Sequence, residues 1–327
     1  MKHISILLPI GAASVGCIEG AHKAFNTVND FLVDKGRIPL FNIQIVGISK
    51  DAQVYDRLFT ISPDAVTENV QKTDLIIIPA VNGDMKNVIA DNKDFLPWID
   101  LQYKNGAEVA SLCVGSFLLA ATGLVKGRKC ATHWHAENDF KNMFPDVNLV
   151  SDRIITDEHG IYSSGGANSF WNLLLYLIEK YTNREMAILC SKYFEIELDR
   201  NNQSAFMIFH GQRAHHDDSV KKAQEYIEQN FQGKITVEQL STMFSVGRRS
   251  LERRFKKATR NTVSEYIQRV KIEAAKKSCE TGRKNIGEIM YEVGYSDTKA
   301  FRTMFKKITG LSPIEYRNKY NKEAVGV

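Results

Sequence analysis

The sequence predicts an α/β unit built as a parallel-sheet sandwich of flavodoxin-like type, followed by an all-α unit with two helix-turn-helix motifs. Three observations predict it. Short apolar, β-branched runs alternate with helical periods over the first two hundred residues, strand signals vanish after Val220, and the last third repeats itself at an offset of 50 residues. Continuous Val/Ile/Leu runs belong to strands buried on both faces, and their alternation with helices reads as βαβ units.

The elements follow in order. "HISILLPI" (3–10) is a strand, an amphipathic helix covers Ile18 to Val33, and "FNIQIVGIS" (41–49) and "DLIIIPAV" (74–81) are strands. A helix over Phe95 to Lys104 leads to the strand "EVASLCV" (108–114). "NLVSDRIITDEHGIYSSGG" (148–166) reads as a hairpin or two short strands, then come the apolar helix "SFWNLLLYLIEKY" (169–181) and a helix from Arg184 to about Leu198. The stretch "DRNNQSAFMIFHGQRAHHDDS" (199–219) is polar and aperiodic, a linker signal. The expected boundaries are 1–200 for the α/β domain, 201–218 for the linker and 219–320 for the helical domain.

A chain of 327 residues suits two domains, each able to fold on its own core. Its five cysteines, Cys17, Cys113, Cys130, Cys190 and Cys279, are scattered and form no zinc spacing, which fits a reducing, cytoplasmic setting. The amino terminus lacks the apolar core and cleavage site of a secretion signal. No run of about 18 apolar residues exists, so no membrane partner is expected.

The net charge of +5 conceals an asymmetry: residues 219–320 hold 22 Lys/Arg against 11 Asp/Glu, which leaves the remainder at −6. A basic final third suits a polyanion. There, "SLERRFKKATRNTVSEY" (250–266) and "AFRTMFKKITGLSPIEY" (300–316) share Phe255/Phe305, Lys256/Lys306, Lys257/Lys307, Thr259/Thr309, Glu265/Glu315 and Tyr266/Tyr316. One supersecondary unit is present twice.

In each copy a short helix (Val237 to Phe244; Gly287 to Val293) precedes a tight turn, with one extra residue in the second, and then an amphipathic helix. Thr236 with Gln239 is the expected capping box of copy one, and Ser296 the expected N-cap in copy two. With Leu251, Phe255, Phe301 and Phe305 turned inward, the outward faces carry Arg249, Glu252 and Arg253 in one copy and Lys299, Arg302 and Thr303 in the other. Such residues reach base edges or phosphates of duplex DNA, and Lys257 and Lys307 are placed to neutralise phosphates. The stretch "RVKIEAAKKSCETGRKNIGEIMYEVGYSDTKAFRTMFKKITGLSPIEYR" resembles the signature of the AraC/XylS family of transcription regulators, over roughly the last hundred residues. That resemblance implies two helix-turn-helix units on one connecting helix, here Val263 to about Glu280, entering successive major-groove turns.

In the first domain the question is Cys113. A thiol on a sharp strand-to-helix turn stands at the carboxyl end of the sheet, where a helix N-terminus is expected to lower its pKa. Gly115 and Ser116 permit close approach of the helix, and "PAVNGD" offers the backbone N–H groups of Asn82 and Gly83 as an anion cradle. A small apolar residue packed at a strand end is the other reading.

"SLCVGSFLLAATGLVKGRKCATHW" is similar to the cysteine elbow of the PfpI-like branch of the class I glutamine amidotransferase-like superfamily. With "ISILLP" and "SSGGANSFWNLLLYLIE" the similarity covers about residues 3 to 200. A PfpI-like domain ahead of an AraC-type domain is the arrangement of GlxA-type regulators. In the enzymes of that superfamily the resemblance implies a carboxylate on the helix after the first strand, and often a histidine, beside the thiol. Here Cys17 stands at the acid position and Val114 follows the cysteine where the proteases have histidine, so the elbow is vestigial and no catalytic residue is expected. Glu19 serves as the acid only if the helix register shifts, and His133 is open between a catalytic and a structural or ligand-binding role.

The expected effector pocket therefore comprises Cys17, Asn82, Gly83, Cys113, Val114 and His133. Two thiols facing one another there are read either as a redox pair or as inert neighbours of a small-molecule site. The histidines and acids of "HGQRAHHDD" (210–218) lack metal-ligand periodicity, no G-x-G-x-x-G fingerprint is present, and neither a metal nor a cofactor is expected. The resulting reading is a DNA-binding transcription regulator, a homodimer, whose partners are double-stranded DNA and an unidentified small-molecule effector. The competing reading is a cysteine-dependent amidase or protease-like hydrolase with a DNA-binding appendage.

Overall fold

The chain divides between Gln203 and Ser204 into two units, in a computed structural model that describes residues 1–55, 58–198, 202–213 and 215–321. The first unit opens with β1 (Lys2–Leu7), β2 (Ala12–Ala13), α1 (Val15–Asp34), β3 (Phe41–Gly47), β4 (Gln53–Tyr55), β5 (Phe59–Ile61) and β6 (Ala65–Val66). It continues with β7 (Leu75–Ile78), β8 (Val81–Asn82), α2 (Met85–Asp91), α3 (Phe95–Lys104), β9 (Glu108–Ser111), α4 (Ser116–Ala121), β10 (Lys129–Cys130) and α5 (Glu137–Met143). It closes with β11 (Asn148–Leu149), β12 (Ile155–Glu158), β13 (Ile161–Ser164), α6 (Phe170–Tyr181) and α7 (Arg184–Phe194).

Seven strands form one sheet in the order β12-β13-β9-β7-β1-β3-β6. Every pair in it is parallel except the β12/β13 hairpin. The unbroken apolar run Leu75–Ile78 is completely enclosed, as a central strand covered on both faces requires. Helices α1, α6 and α7 pack on one another and on β1, β3 and β13, while α3 and α4 pack on β9 and β7. In α1 the inward residues Ile18, Ala21, Phe25, Val28 and Leu32 recur every three or four positions and are all buried; each large one contributes about 1.5 to 3 kcal/mol on leaving water. The strand order reverses at β1, which pairs β3 on one side and β7 on the other. In open parallel sheets the crevice at the carboxyl ends beside such a reversal is the usual ligand position.

Two helix ends differ from expectation. α1 begins one turn earlier than Ile18, and α7 stops at Phe194 because Glu195 takes a left-handed conformation (φ 56°), the αL geometry that ends many helices by satisfying their last carbonyls.

The second unit is all helix: α8 (Asp218–Asn230), α9 (Val237–Met243), α10 (Arg248–Thr259), α11 (Val263–Thr281), α12 (Ile286–Glu292), α13 (Thr298–Thr309) and α14 (Pro313–Tyr320). The repeat becomes two lobes with separate cores. Val220, Ile227, Leu240, Leu251, Phe255 and Tyr266 fill the first; Ile272, Ile289, Phe301, Phe305 and Tyr316 fill the second. The connecting helix α11 supplies residues to both.

Local caps set the register. Thr262 with Glu265 and Ser312 with Glu315, 50 residues apart, form reciprocal capping boxes, and Asn285 with Glu288 forms a third. Thr236 caps α9 by accepting from the Gln239 N–H, but its box is half made; the Gln239 side-chain amide donates to the Tyr226 hydroxyl. Ser296 is not the N-cap of α13. Asp297, adjacent to the first helical residue, accepts from the Ala300 N–H at 2.5 Å, since the longer second turn moves the cap one place on.

The stretch read from sequence as a linker is not free along its length. Residues 204–213 dock on α8, α11 and α14 through contacts as distant in sequence as Tyr320 to Ala205. The apolar run Ala205–Phe209 inside the polar stretch is the reason.

Candidate functional site

The strand β9 runs straight into a turn at Cys113, whose φ of +55° lies in the left-handed region. A non-glycine residue there carries about 1 to 3 kcal/mol of strain and persists only where its surroundings enforce it. The enforcing contacts are on both sides. Leu112 N–H donates to the Ile78 carbonyl at 2.9 Å, Cys113 N–H to Ser164 Oγ at 3.2 Å and Gly115 N–H to the Leu112 carbonyl at 2.9 Å. Gly115 is pressed against the end of β7: a Cβ on it would stand 2.6 Å from the carbonyl oxygens of both Ile78 and Pro79. Ser116 Oγ donates to Thr132 Oγ1 at 2.8 Å, fixing the start of α4.

Cys17 approaches from α1. Ser14, whose N–H donates to the Ala80 carbonyl at 2.8 Å, precedes it, and the thiol itself interacts with Ser14 and the Ala80 backbone. The turn that bears Cys113 and the helix start that bears Cys17 therefore both adjoin the Ile78 to Ala80 segment, and both thiols are buried and free. Burial raises the pKa of each. For Cys113 burial comes first and the charge of a neighbouring Cys17 thiolate second, and together they push it up to about 12 against an opposing hydrogen bond with Val114. The expected lowering by a helix N-terminus is thus overturned: α4 is six residues long, and desolvation of the thiolate outweighs so short a dipole.

Neither Glu19 nor His133 has a described contact with either thiol. Glu19 is exposed, so in the register that α1 adopts it faces away from the buried thiols. The His133 ring caps the turn Trp134–Ala136 by accepting from His135 N–H at 3.1 Å. Burial, and then the charge of His135, lower its pKa. Val114 is half-buried against the core. Asn82 pairs with Ala12 in the short β2/β8 ladder, which lies against the Cys113 turn, and Gly83 follows at φ 131°. The sequence reading missed Ser14 and Ser164, which bind the two thiol-bearing turns; a serine at a helix N-cap and the Ser-Gly-Gly run after a strand were the available signals.

A thiol with its midpoint near 12 has a measurable consequence. Alkylation of Cys113 in the folded protein is expected to accelerate about tenfold per pH unit from 7 to 9 with no plateau, whereas an exposed thiol levels off near its ordinary pKa of about 8.5. Iodoacetamide labelling followed by peptide mass spectrometry reads this; a plateau below pH 9 would show a thiol that burial does not hold above its ordinary pKa.

In the second unit α10 and α13 present the predicted faces. Arg249 and Arg253 on α10, and Lys299, Arg302 and Thr303 on α13, are exposed, and none of them has a side-chain partner among the described residues. Glu252 is drawn aside by Arg248, which also pairs with Glu238. Arg254, one position from Arg253, is structural: it holds Asp217, the N-cap of α8, through two bonds of 2.6 and 2.7 Å. Lys257 and Lys307 are exposed on the last turns of their helices. The histidine-rich segment builds no metal cluster among the described residues; His215 instead meets Gln224 at 2.9 Å. No described helix is long and apolar enough to cross a membrane.

Comparison with known proteins matches both halves. The DJ-1/PfpI family model matches residues 25–180 and a helix-turn-helix domain model residues 240–319. The HTH-type transcriptional regulator GbdR of Pseudomonas aeruginosa is 26% identical over 258 residues, 79% of this chain and 69% of that protein. The regulator CdhR of the same species is 23% identical over 79% of this chain and 76% of its own. The bifunctional transcriptional activator/DNA repair enzyme AdaA of Bacillus subtilis is 41% identical over 93 residues, 28% of this chain and 44% of that one. Among solved structures, an AraC family transcriptional regulator from Pseudomonas putida overlays 59% of this chain and 100% of its own, with a TM-score of 0.51 at 13% identity, a likeness of fold.

Proposed function

Because the chain belongs to the AraC-type helix-turn-helix regulators that carry a DJ-1/PfpI-like domain, we propose that α10 and α13 read double-stranded DNA and that the first unit binds a small-molecule effector without catalysing a reaction. The observation that supports it best is the pair of unpartnered basic faces, Arg249 with Arg253 and Lys299 with Arg302, on two helices joined through α11. A helix of about 12 residues with a cationic amino-terminal face fits the major groove, where arginine pairs with guanine and lysine or threonine serves bases and phosphates. The effector site is the carboxyl-end crevice at Cys17, Asn82, Gly83, Cys113, Val114 and His133. Its occupancy alters DNA binding only if the effector binds two arrangements of the protein with different affinity. The protein acts as a homodimer in the cytoplasm, where its five buried cysteines stay reduced.

Arg253→Ala and Arg302→Ala are each expected to weaken operator binding by about 1 to 3 kcal/mol and to relax the preference for one base, whereas Lys257→Ala mainly lowers the salt slope. Gel shifts on an operator obtained by in vitro selection decide it; unchanged affinity for both arginine variants sinks the groove assignment. The strained turn at Cys113 is the one observation favouring a hydrolase. Cys113→Ala tests it, since a hydrolase loses turnover while a sensor keeps DNA binding.

A further inference from the structure

Residues 204–213 leave the first unit's last residue and cross the helical unit from one lobe to the other. At the second lobe, the turn Ser204–Phe206 lies against α13, the Ala205 carbonyl accepts from the Tyr320 hydroxyl at 3.1 Å, and Phe206 meets the Tyr320 ring edge-on and lies under the Lys319 ammonium. Midway, Lys276 of α11 donates to the Met207 carbonyl at 2.6 Å and pairs with Glu273 at 2.8 Å. Its side chain is only 4% exposed and that of Glu273 13%, and Glu273 also accepts the Phe209 N–H at 3.1 Å. At the first lobe the Phe209 ring meets Tyr266 edge-on at 5.1 Å and lies under Arg269. Gln212 then bonds Gln224 through its carbonyl and Asn261 through its side chain, and Arg213 pairs with Glu228. Gly211 (φ +69°) passes so close that a Cβ on it would stand 2.3 Å from the Tyr266 hydroxyl.

A buried ion pair is costly to assemble unless something specific is gained. Here Lys276 and Glu273 spend their bonds on a backbone that belongs to neither helix-turn-helix lobe. The two lobes have separate cores and share α11, so a segment fastened to both restrains the angle between α10 and α13. We propose that residues 204–213 form a strap that holds the two lobes at one spacing, with Lys276 and Phe209 as positioning residues for DNA binding and no base contact of their own. The strap starts one residue after Gln203, whose side-chain amide is tied to the Thr132 and Ser151 carbonyls of the first unit.

The proposal rests on the DNA-binding reading, and its test separates the two. In vitro selection with the full chain first yields the operator; a failure to recover any preferred sequence overturns the DNA reading itself. Moving one half-site by a single base pair, about 3.4 Å and a tenth of a turn, is expected to cost the wild type at least about tenfold in affinity. Phe209→Ala with Lys276→Met, and separately Gly211→Ala, whose methyl meets the Tyr266 hydroxyl and pushes the strap off the first lobe, are expected to reduce that penalty to about threefold or less. Phe209→Leu, which keeps the apolar contact, retains it. If Gly211→Ala remains folded by circular dichroism and its penalty equals that of the wild type, the strap is overturned; uniformly weaker binding at every spacing overturns it equally.

Discussion

Truncating Phe305 to alanine is expected to melt the second helix-turn-helix lobe while the first stays folded. The ring is completely buried, 5.7 Å from Phe301 and 5.5 Å from Tyr316 in edge contacts. Its removal costs about 3 to 5 kcal/mol, since the transfer energy is lost and a cavity stays behind. A lobe of about 50 residues holds little stability to spare. Because the two cores share no buried residue, Phe255→Ala should do the reverse. Hydrogen exchange checks both: protection lost over 286–320 and kept over 220–260 for Phe305→Ala. Loss of both at once would show that the lobes form one cooperative core.

The second large effect lies at the Cys113 turn. Gly115→Ala places a methyl 2.6 Å from two backbone oxygens of Ile78 and Pro79, atoms held by the central sheet. The turn has to move instead, breaking the Leu112 and Cys113 bonds that hold its left-handed residue. A loss of about 3 kcal/mol or more is expected in urea unfolding of the full chain, together with faster alkylation of Cys113. Gly16→Ala is the control. Its Cβ would meet only Ser14 Oγ at 4.0 Å on an exposed part of α1, and it should gain about 0.5 to 1 kcal/mol. Equal destabilisation by the two variants would rule out the close approach.

The duplication was readable because two copies of one unit obey the same local rules. Phe255 and Phe305, Tyr266 and Tyr316, and the boxes begun by Thr262 and Ser312 recur at the same offset. The strand-turn-helix form at Cys113 was readable for a similar reason, since an apolar run ending in a small-residue helix start is a local pattern. Ser296 misled because a cap is set by the exact length of the preceding turn, and the apolar residues of the supposed linker were too few to carry a period.

The sequence by itself determined the order of the two classes of unit, the repeat and the basic final third, because each follows from residue type and short-range spacing. Only the tertiary structure decided that the segments bearing Cys17 and Cys113 adjoin Ile78 to Ala80 with both thiol protons held, that Ser164 binds the elbow and that Lys276 and Glu273 clasp the strap. Those facts depend on burial and on residues 50 to 100 positions apart. Desolvation and long-range hydrogen bonds exist only once the chain is packed, and no local pattern encodes them.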